Sequence, residues 1–445
     1  MSHRFSILIR AAETSSSFFR DCLESVISQT YTDLELIILD ENESQEVRFT
    51  CEEMFAGDDR IIYRTLKNRQ GTAYAYNIGV HFSSGDYVVL MDQHDRISAD
   101  TLERLAFAID AALEVGDRAD MIYTDRDELI GMNRMNPHFL PDYNEELLRH
   151  TPYFGSFICF RRNLFLDIGE FNEKLTYYPV SDFIFRAVEG KNRVLHLASL
   201  LYHERKRRSV DGRPPQLEEK QLREYGVVAA AHLKRLGVDI AVGYEKKKCF
   251  IQIDYQADSY KNHRDDFLFL RDRGTRVFGK TYMQQMYDVL SQPDVGIVGV
   301  RFIRFDLTND NCGYIFGAEG IAYPACYGES MRRPGYDGRA IIPRDVSMVD
   351  AGFCMIDSKL YRHVGGFGAN LDGRDIMLDF CMKTREAGRR IVYLPDVMVI
   401  RSPGKTTSSQ TSNSLLMERW HDALKTGDPY YNRNLPLGLE NYKLY

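Results

Sequence analysis

The sequence has no apolar run of membrane-spanning length, no CxxC pair and no extended basic tract. A membrane-spanning helix needs about 18 or more apolar residues in succession, so no transmembrane segment is predicted. The first ten residues, MSHRFSILIR, lack the apolar core of a signal peptide. The eight cysteines are scattered, which argues against a disulfide framework or a zinc knuckle. We therefore expect a cytoplasmic protein, at most peripheral to the inner face of the membrane.

The composition predicts a globular protein of more than one unit. The chain has 445 residues, and 44% of them are hydrophobic, which is enough to build more than one core. Its formal net charge of −7 is mild for this length. Because proteins that bind nucleic acid usually carry a basic face, nucleic acid is not an expected partner.

Apolar runs alternate with helical patterns through the first third of the chain. The predicted strands are 5–9, 34–39, 61–65, 87–91 and 120–124, and the predicted helices are 18–29, 73–82 and 98–115. Strands that are apolar on both faces and separated by helices indicate an α/β domain with a mostly parallel sheet. Ligands bind beyond the carboxyl ends of the strands in such sheets, so polar residues that follow strands are the first candidates for a site.

Further units are predicted after the first. The boundaries drawn on the sequence are 1–210 for the first domain, 211–245 for a helical connector, 246–401 for a second α/β unit and 402–445 for a tail that docks on it. A weak echo between 166–190 and 362–388, each with a Gly-Phe turn before an Asp-centred helix, indicates that the two units are related. The Ser/Thr-rich stretch 402–413 is expected to be mobile.

Several segments in a fixed order resemble the family 2 glycosyltransferases of GT-A fold. They are SVISQTYTDLELIILDENES (25–44), GDYVVLMDQHDRIS (85–98), IYTDRDEL (122–129), a Gly-Phe turn (169–171) and LYHE (201–204). Their shared order is more specific than any one motif. The chain looks closest to the tandem bacterial type that builds polysaccharides or glycoproteins, with a truncated, degenerate second module. The resemblance implies a Rossmann-like sheet flanked by helices in each unit.

The resemblance implies a nucleotide-binding pair after the second strand. Asp40 and Glu41 stand where the family has an acidic residue that contacts the base. A carboxylate can accept the imide N–H of uracil or thymine, which favours a UDP- or dTDP-type donor. Alternatively, Asp40 caps a turn or the following helix.

The turn after the strand at 87–91 stands where the family has its metal-binding DxD motif. The resemblance assigns Asp92, His94 and the later His203 to a divalent cation that bridges the donor diphosphate, and Asp92 also to the nucleotide. His94 at the third position tilts the expectation towards Mn²⁺ over Mg²⁺, because imidazole is a poor ligand for Mg²⁺. Alternatively, the histidines are ordinary surface residues. Asp95 is either part of the motif or a helix cap.

The acceptor side of the family's site uses acidic residues, and this sequence matches some of these positions and departs at others. Asp125 and Asp127 match residues that orient sugar or acceptor hydroxyls, and the alternative is a solvated acidic turn. An inverting transfer needs a carboxylate that takes the acceptor proton. Pro179 and Val180 stand where the family has Glu-Asp, which leaves Asp182 as the candidate base. Alternatively, Asp182 only complements the dipole of its helix.

The second unit is predicted to be catalytically silent. Too few residues lie between Lys246 and Pro293 for a nucleotide-binding half. Met377 stands at its base position, and Arg401 replaces the late histidine. One active site per chain is therefore the expected limit.

The sequence favours an inverting glycosyltransferase that moves a sugar from a nucleotide-sugar to a glycan, lipid-linked saccharide or glycoprotein. The altered DxD and base positions favour a different function, a catalytically inactive sugar-binding or scaffolding subunit of a glycosyltransferase complex. A homo-oligomer or a partner glycosyltransferase is compatible with both. A sugar-nucleotide pyrophosphorylase is not expected, because no glycine-rich loop follows the first strand.

Overall fold

The structure is a computed structural model that describes residues 3–14, 16–67, 69–205, 219–244, 250–371, 373–401, 413–438 and 442. Contacts divide the chain into two compact units. The first comprises Met1–Leu140 and Pro152–His232, and the second comprises Pro141–Thr151 and Leu233–Tyr445. The stretch expected to be mobile, 402–413, lies outside the described residues except for Asn413.

The predicted helices 18–29, 73–82 and 98–115 correspond to the first, third and fourth of the described helices. The described helices are α1 (Ser16–Ile27), α2 (Glu46–Phe55), α3 (Thr72–Phe82), α4 (Thr101–Glu114), α5 (Glu145–His150), α6 (Arg162–Ile168), α7 (Pro179–Glu189), α8 (Glu219–Arg235), α9 (Tyr282–Leu290), α10 (Ser358–His363), α11 (Gly373–Glu386) and α12 (Ser414–Thr426), with short 3₁₀ turns at Tyr260–Asn262 and Tyr336–Gly338. None of the described helices is both long and apolar enough to cross a bilayer.

Strands alternate with these helices along the chain. They are β1 (Phe5–Ala11), β2 (Leu34–Asp40), β3 (Ile61–Thr65), β4 (Tyr87–Asp92), β5 (Arg96–Ile97), β6 (Met121–Ile130), β7 (Asn133–His138), β8 (Ile158–Arg161), β9 (Val194–Arg205), β10 (Ile240–Tyr244), β11 (Ile251–Tyr255), β12 (Phe267–Arg271), β13 (Thr275–Val277), β14 (Val295–Ile303), β15 (Asn309–Asn311), β16 (Tyr314–Phe316), β17 (Ala322–Pro324), β18 (Arg344–Asp345), β19 (Phe353–Asp357) and β20 (Arg390–Arg401).

The first unit is built on one mixed sheet with the strand order β3-β2-β1-β4-β8-β6-β9-β5, and β7 pairs with β6. Strand β1 runs parallel to β2 and to β4, and β2 runs parallel to β3. Strand β6 runs parallel to β9. Every residue of β2 is buried, as expected for a strand covered on both faces. The α/β class predicted from the sequence is confirmed.

Close packing of a helix on the sheet explains one glycine. A Cβ added to Gly79 of α3 would lie 2.6 Å from Cδ2 of Leu8 and 2.8 Å from Cδ1 of Leu39. These distances are far below an ordinary carbon–carbon contact of about 3.5–4.0 Å. A glycine at this position therefore lets α3 approach β1 and β2, which brings the start of the helix to the carboxyl edge of the sheet.

The strand predicted at 120–124 was drawn too short. Strand β6 continues to Ile130, because it pairs with the equally long β9 and with the hairpin partner β7. Asp125 and Asp127 therefore lie within a strand and not after it.

The second unit has its own sheet, with the order β12-β19-β14-β20-β13. Strands β14 and β20 are parallel, whereas β19 runs antiparallel to β14. Helix α5 belongs to this unit although it precedes much of the first unit in sequence. The contacts separate the units between His232 and Leu233, inside the stretch that the sequence marked as a helical connector.

Candidate active site

Parallel strands of the first unit end together at one edge of the sheet. The register pairs Arg10 of β1 with Asp92 of β4, and Ala11 of β1 with Asp40 of β2. A cavity of about 330 Å³, which we call the first-unit cavity, opens there. It is lined by Arg10, Ala12, Glu13, Arg69, Thr72, Tyr76, Asp92 and Gln93.

Charged groups of both signs are accessible in the first-unit cavity. The side chains of Arg10, Arg69 and Asp92 are 25%, 50% and 43% exposed. A guanidinium group binds phosphate oxygens through parallel N–H donors. The cavity can therefore accept an anion beside the Asp92 carboxylate.

Glu41 positions one of these arginines. Its Oε2 accepts hydrogen bonds from Nε (2.7 Å) and Nη2 (2.6 Å) of Arg10, and its side chain is fully buried. The guanidinium also reaches Thr72 Oγ1 at 3.4 Å. The second carboxylate oxygen, Oε1, is buried without a hydrogen-bond partner. A buried carboxylate oxygen that lacks a donor is costly, and a ligand N–H that reached Oε1 would remove this cost.

Asp40 is 1% exposed and closes the turn after β2. Its Oδ1 accepts the backbone N–H and the side-chain Nδ2 of Asn42, both at 2.9 Å, and its Oδ2 accepts the hydroxyl of Tyr63. The turn-capping alternative is thus present in the geometry. Contact with a base would need Asp40 to exchange one of these partners.

Gln93 fixes the loop after β1 against the loop after β4. Its Oε1 accepts the backbone N–H of Ala12 (3.2 Å) and the hydroxyl of Thr14 (2.5 Å), and its Nε2 donates to the Ala12 carbonyl (2.6 Å). Two neighbouring walls of the first-unit cavity are therefore held together by one amide.

The turn after β4 holds its histidine against its first aspartate. Asp92 Oδ1 accepts the backbone N–H of His94 and pairs with ring Nδ1 of His94, both at 2.9 Å. His94 is 4% exposed and packs edge-on against Phe18. The surface-histidine alternative is therefore wrong for His94, while Asp92 keeps an accessible carboxylate.

Asp95 lies inside the same turn and is buried. Its Oδ2 accepts the Tyr202 hydroxyl (2.5 Å), and its Oδ1 accepts the backbone N–H of Arg205 (2.8 Å). Burial, followed by the charge of Asp92, raises the pKa of Asp95 to about 8. The helix-cap alternative is wrong, because α4 begins only at Thr101, after Asp100.

Arg205 supports the turn from the end of β9. Its Nε donates to the His94 carbonyl (3.1 Å), its Nη2 donates to Asp21 (2.9 Å), and its guanidinium lies 4.2 Å from the ring centroid of Phe18. Arg205 is thus a positioning residue for the turn that carries Asp92.

His203 is held between two polar partners. Its Nδ1 pairs with Asp127 Oδ1 at 2.7 Å, and its Nε2 pairs with Ser98 Oγ at 3.0 Å. Arg134 donates to the second oxygen of Asp127 (2.7 Å). Burial alone would raise the pKa of Asp127, but the hydrogen bonds from His203 and Arg134 outweigh it and leave the pKa below its ordinary value.

Asp125 is completely buried on the neighbouring part of β6. Its Oδ1 accepts the backbone N–H of Leu140 (2.8 Å) and pairs with Nε2 of His196 (2.9 Å). The solvated-turn alternative is therefore wrong for Asp125, and also for Asp127, which is 3% exposed.

Asp182 lies in the first turn of α7 and is 7% exposed. Its Oδ2 accepts Nε of Arg186 at 3.0 Å. The same guanidinium donates to the carbonyls of Ile168 (2.8 Å) and Glu170 (2.7 Å). Asp182 therefore helps to anchor the Gly-Phe turn that precedes its helix.

Asp92 is the group that best fits the divalent cation implied by the resemblance. Cations that bridge phosphates take most of their ligands from phosphate oxygens and water, so one accessible carboxylate is enough. Both ring nitrogens of His203 have partners, and Nδ1 of His94 is held by Asp92. In the part of the chain that the structure describes, no three His, Cys, Asp or Glu side chains form a group that could hold an ion by themselves.

The predicted residues fall into two sets. Asp92 lines the first-unit cavity, and Glu41 contacts Arg10, which also lines it. The remaining candidates, His94, His203, Asp40, Asp125, Asp127 and Asp182, are not among its lining residues. Their assigned roles stay predictions.

Sequence reasoning missed the cationic part of the site. Arg10 directly follows the predicted strand 5–9, where candidates for a site were expected, but it was not singled out. Arg69 and Gln93 had no signal of their own. Arg205 directly follows the LYHE motif, so it could have been found by extending that motif by one residue.

The mixed α/β sheet, with a charged cavity beyond the carboxyl ends of its parallel strands, agrees with the fold class that the sequence motifs implied. Residues 6–169 match the model of the family described as Glycosyl transferase family 2. These residues are therefore similar to family 2 glycosyltransferases, as the sequence motifs indicated.

Other proteins are similar to part or to nearly all of this chain. O-antigen biosynthesis protein RfbC of Myxococcus xanthus is 30% identical over 202 residues, which cover 45% of this chain and 16% of that protein. A protein of Sinorhizobium fredii described as uncharacterized protein y4gI is 22% identical over an alignment that covers 99% of this chain and 58% of its own length. Residues 1–349 of S. aureus TarS, solved with UDP-GlcNAc, give a TM-score of 0.41 at 19% identity, over 52% of this chain and 66% of that one.

Proposed function

We propose that the first unit is an inverting glycosyltransferase that takes a sugar from a UDP- or dTDP-type donor. The observation that carries the proposal is the meeting of Arg10, Arg69 and Asp92 in a cavity beyond the strand ends of a family 2 domain. The two guanidinium groups would bind the diphosphate, and Asp40 and Glu41 would contact the base. The acceptor would be a glycan, a lipid-linked saccharide or a glycoprotein; similarity to a protein named for O-antigen biosynthesis supports a polysaccharide.

We propose further that Asp92 holds a divalent cation, with His94 tilting the preference towards Mn²⁺ over Mg²⁺. When bound, the cation would offset the negative charge that develops on the departing nucleoside diphosphate. His203 would join it only by exchanging its Ser98 partner, and Asp127 would then keep the ring oriented. Asp125 and Asp127 would orient sugar or acceptor hydroxyls, and Asp182 would act as the base after releasing Arg186.

The ion pair between Asp182 and Arg186 favours a second candidate function. If Asp182 only anchors its turn, the chain is a catalytically inactive sugar-binding or scaffolding subunit. The two functions differ in turnover and not in donor binding.

Calorimetric titration of the full chain with UDP, dTDP and GDP, with and without Mn²⁺, tests the donor site. We expect UDP or dTDP to bind, and more tightly with Mn²⁺. Failure of every nucleoside diphosphate to bind would overturn the proposal. Turnover of a bound UDP-sugar should then fall by about a hundredfold or more in Asp182→Asn. Unchanged turnover would remove Asp182 as the base, and donor binding without any turnover in the wild type would support the inactive subunit.

A further inference from the structure

The amino-terminal end of helix α3 lies at the first-unit cavity, because Thr72, its first residue, is one of the lining residues. No side chain caps this end, and Gly71, which precedes the helix with a φ of +98°, has no side chain to offer. The first bond of the helix runs from the N–H of Ala75 to the carbonyl of Gly71 (3.1 Å). The backbone N–H groups of Thr72, Ala73 and Tyr74 are left without an acceptor among the described residues.

Tyr76, one turn further along α3, brings a hydroxyl to the same cavity. The residue is 9% exposed, and its ring packs against the buried Phe171 with 6.1 Å between the ring centroids. In the part of the chain that the structure describes, the hydroxyl has no hydrogen-bond partner, although the cavity leaves it accessible. Burial, followed by the charge of Asp92, raises the pKa of Tyr76, so the hydroxyl keeps its proton and can donate to a ligand.

The charged groups of the first-unit cavity pair with one another, whereas these donors of α3 do not. Arg10 pairs with Glu41 (2.6 Å), and Arg69 pairs with Glu13 (2.8 Å). Asp92 adds a further negative charge. Because the formal charges nearly balance, the donors without partners decide which ligand fits. Backbone N–H groups can only donate, and the positive end of the helix dipole favours acceptors that carry negative charge.

We propose that the first turn of α3 and the Tyr76 hydroxyl together form a phosphate subsite, which binds a phosphoryl group of the donor diphosphate. The amino-terminal end of a helix binds phosphate well, because several N–H groups point at the ligand and the dipole favours its charge. That the phosphoryl group belongs to a nucleotide-sugar rests on the proposed function, whereas the phosphate subsite itself does not.

Calorimetric titration of the full chain with UDP and with inorganic pyrophosphate, both without a metal ion, tests the phosphate subsite. Uridine, titrated by NMR at millimolar concentrations, is the matched ligand without phosphate. Tyr76→Phe removes only the hydroxyl, and we expect it to weaken the binding of UDP and of pyrophosphate by about tenfold, with no change for uridine. Tyr74→Phe is the control, because Tyr74 lies on the same helix and does not line the cavity.

Thr72→Pro tests the backbone donors. Proline is tolerated at the first position of a helix, where it removes an N–H group that has no acceptor within the helix. We expect Thr72→Pro to weaken the binding of UDP and of pyrophosphate by about fivefold or more. Thr72→Ala, which removes the side-chain hydroxyl and keeps the N–H group, should have a smaller effect. Thermal unfolding of all these variants should stay close to that of the wild type.

The contrary outcomes separate the phosphate subsite from the proposed function. If UDP binds and both Tyr76→Phe and Thr72→Pro leave its affinity unchanged, the subsite is refuted and the donor site stands. If pyrophosphate shows the expected losses but UDP and dTDP bind no more tightly than pyrophosphate, the subsite stands and the nucleotide donor is refuted. Equal losses for UDP and uridine, or failure of UDP and pyrophosphate to bind without metal, also refute the subsite.

Discussion

The carboxyl edge of the parallel strands is open in the first unit, where its charged side chains are accessible to solvent. It is closed in the second unit, where the charged side chains are buried against one another. In the first unit, Asp92 and Arg10 lie side by side at this edge and keep part of their surface accessible. In the second unit, Arg401 at the end of β20 donates to Asp350 (2.5 Å) and Asp310 (3.3 Å). The side chains of Arg401 and Asp350 are only 9% and 6% exposed.

This difference separates charges that can bind a ligand from charges that only hold the fold. The Tyr314 hydroxyl donates to the second oxygen of Asp350 (2.8 Å), so both carboxylate oxygens of Asp350 are paired inside the protein, whereas Nε of Arg401 is buried without a partner. A donor or acceptor that is fully paired inside the protein has nothing left for a ligand. Substitutions in the buried cluster around Arg401 should therefore change the free energy of unfolding, and substitutions of the accessible Arg10 and Asp92 should change donor binding.

The largest effect is expected for Arg390→Ala in the second unit. Arg390 Nη1 donates to Glu146 (3.0 Å) and Asp345 (2.9 Å), and its Nε donates to Asp294 (2.7 Å). Glu146 and Asp345 are both about 1% exposed, so the substitution leaves Asp345 without its counter-charge and leaves Glu146 with Arg149 as its remaining guanidinium partner. We expect the free energy of unfolding to fall by about 3–5 kcal/mol, measured by urea denaturation at pH 7.

The exposed Arg333 provides the control for this loss. Arg333→Ala should change the free energy of unfolding by less than about 0.5 kcal/mol. If Arg390→Ala costs no more than that, buried charge pairs do not hold the second unit together, and the comparison between the units loses its main support.

A matched pair of substitutions, Asp350→Asn and Asp92→Asn, tests the comparison directly. Asp350→Asn weakens the closed cluster and should cost about 1.5–3 kcal/mol of stability while leaving UDP affinity unchanged. Asp92→Asn should cost less than about 0.5 kcal/mol of stability, because its side chain is 43% exposed. Its UDP affinity in the presence of Mn²⁺ should fall by about tenfold or more. If denaturation and calorimetry showed equal losses of stability and of UDP affinity in the two variants, the difference between the two units would be refuted.

The sequence predicts the sheet well because its signals are local. The alternation of buried strands and amphipathic helices located β1, β2, β4 and α8, and strand ends located the edge on which Asp92 lies. The end of β6 could not be located in this way. Asp125 and Asp127 look like turn residues, and the histidines that make them tolerable inside a strand come 71 and 76 positions later.

Long-range charge pairs also explain why the placement of α5 was not predicted. Arg390, which pairs with Glu146, comes 244 positions later in the sequence, and no pattern near Glu146 predicts this partner. A buried ion pair is recognised only when both of its partners are known. The cations of the first-unit cavity were missed for the same reason, since the role of Arg10 depends on its pairing with Glu41 and on its place beside Asp92 in the cavity.

Removal of the exposed cation of the first-unit cavity should have a smaller effect on donor binding. Arg69 pairs only with the exposed Glu13 in the described structure, so Arg69→Gln should leave stability nearly unchanged. We expect a loss of UDP affinity of about fivefold to tenfold, measured by calorimetry, because one charge-assisted contact to the diphosphate is lost. Arg48→Gln removes a comparable exposed pair, with Glu52 on α2, and should leave UDP affinity unchanged. Equal losses in both variants would point to a general charge effect and not to a diphosphate contact.

The smallest effect is expected for Glu35, a buried and hydrogen-bonded carboxylate of the first unit that lies away from the first-unit cavity. Its oxygens accept hydrogen bonds from Ser6 Oγ (2.6 Å) and from the backbone N–H (2.6 Å) and hydroxyl (2.8 Å) of Ser84. Burial alone would raise the pKa of Glu35, but these bonds outweigh it and lower the pKa below its ordinary value of 4.5. The carboxylate therefore contributes stability above the ordinary pKa, and this contribution is lost as the pH falls through the lowered pKa of the folded state.

Glu35→Gln should cost about 1 kcal/mol at pH 7 and progressively less towards acid, measured by urea denaturation across that range. A cost that grew on acidification would mean that the folded state raises the pKa of Glu35, and Glu52→Gln, at an exposed pair, should show no such pH dependence.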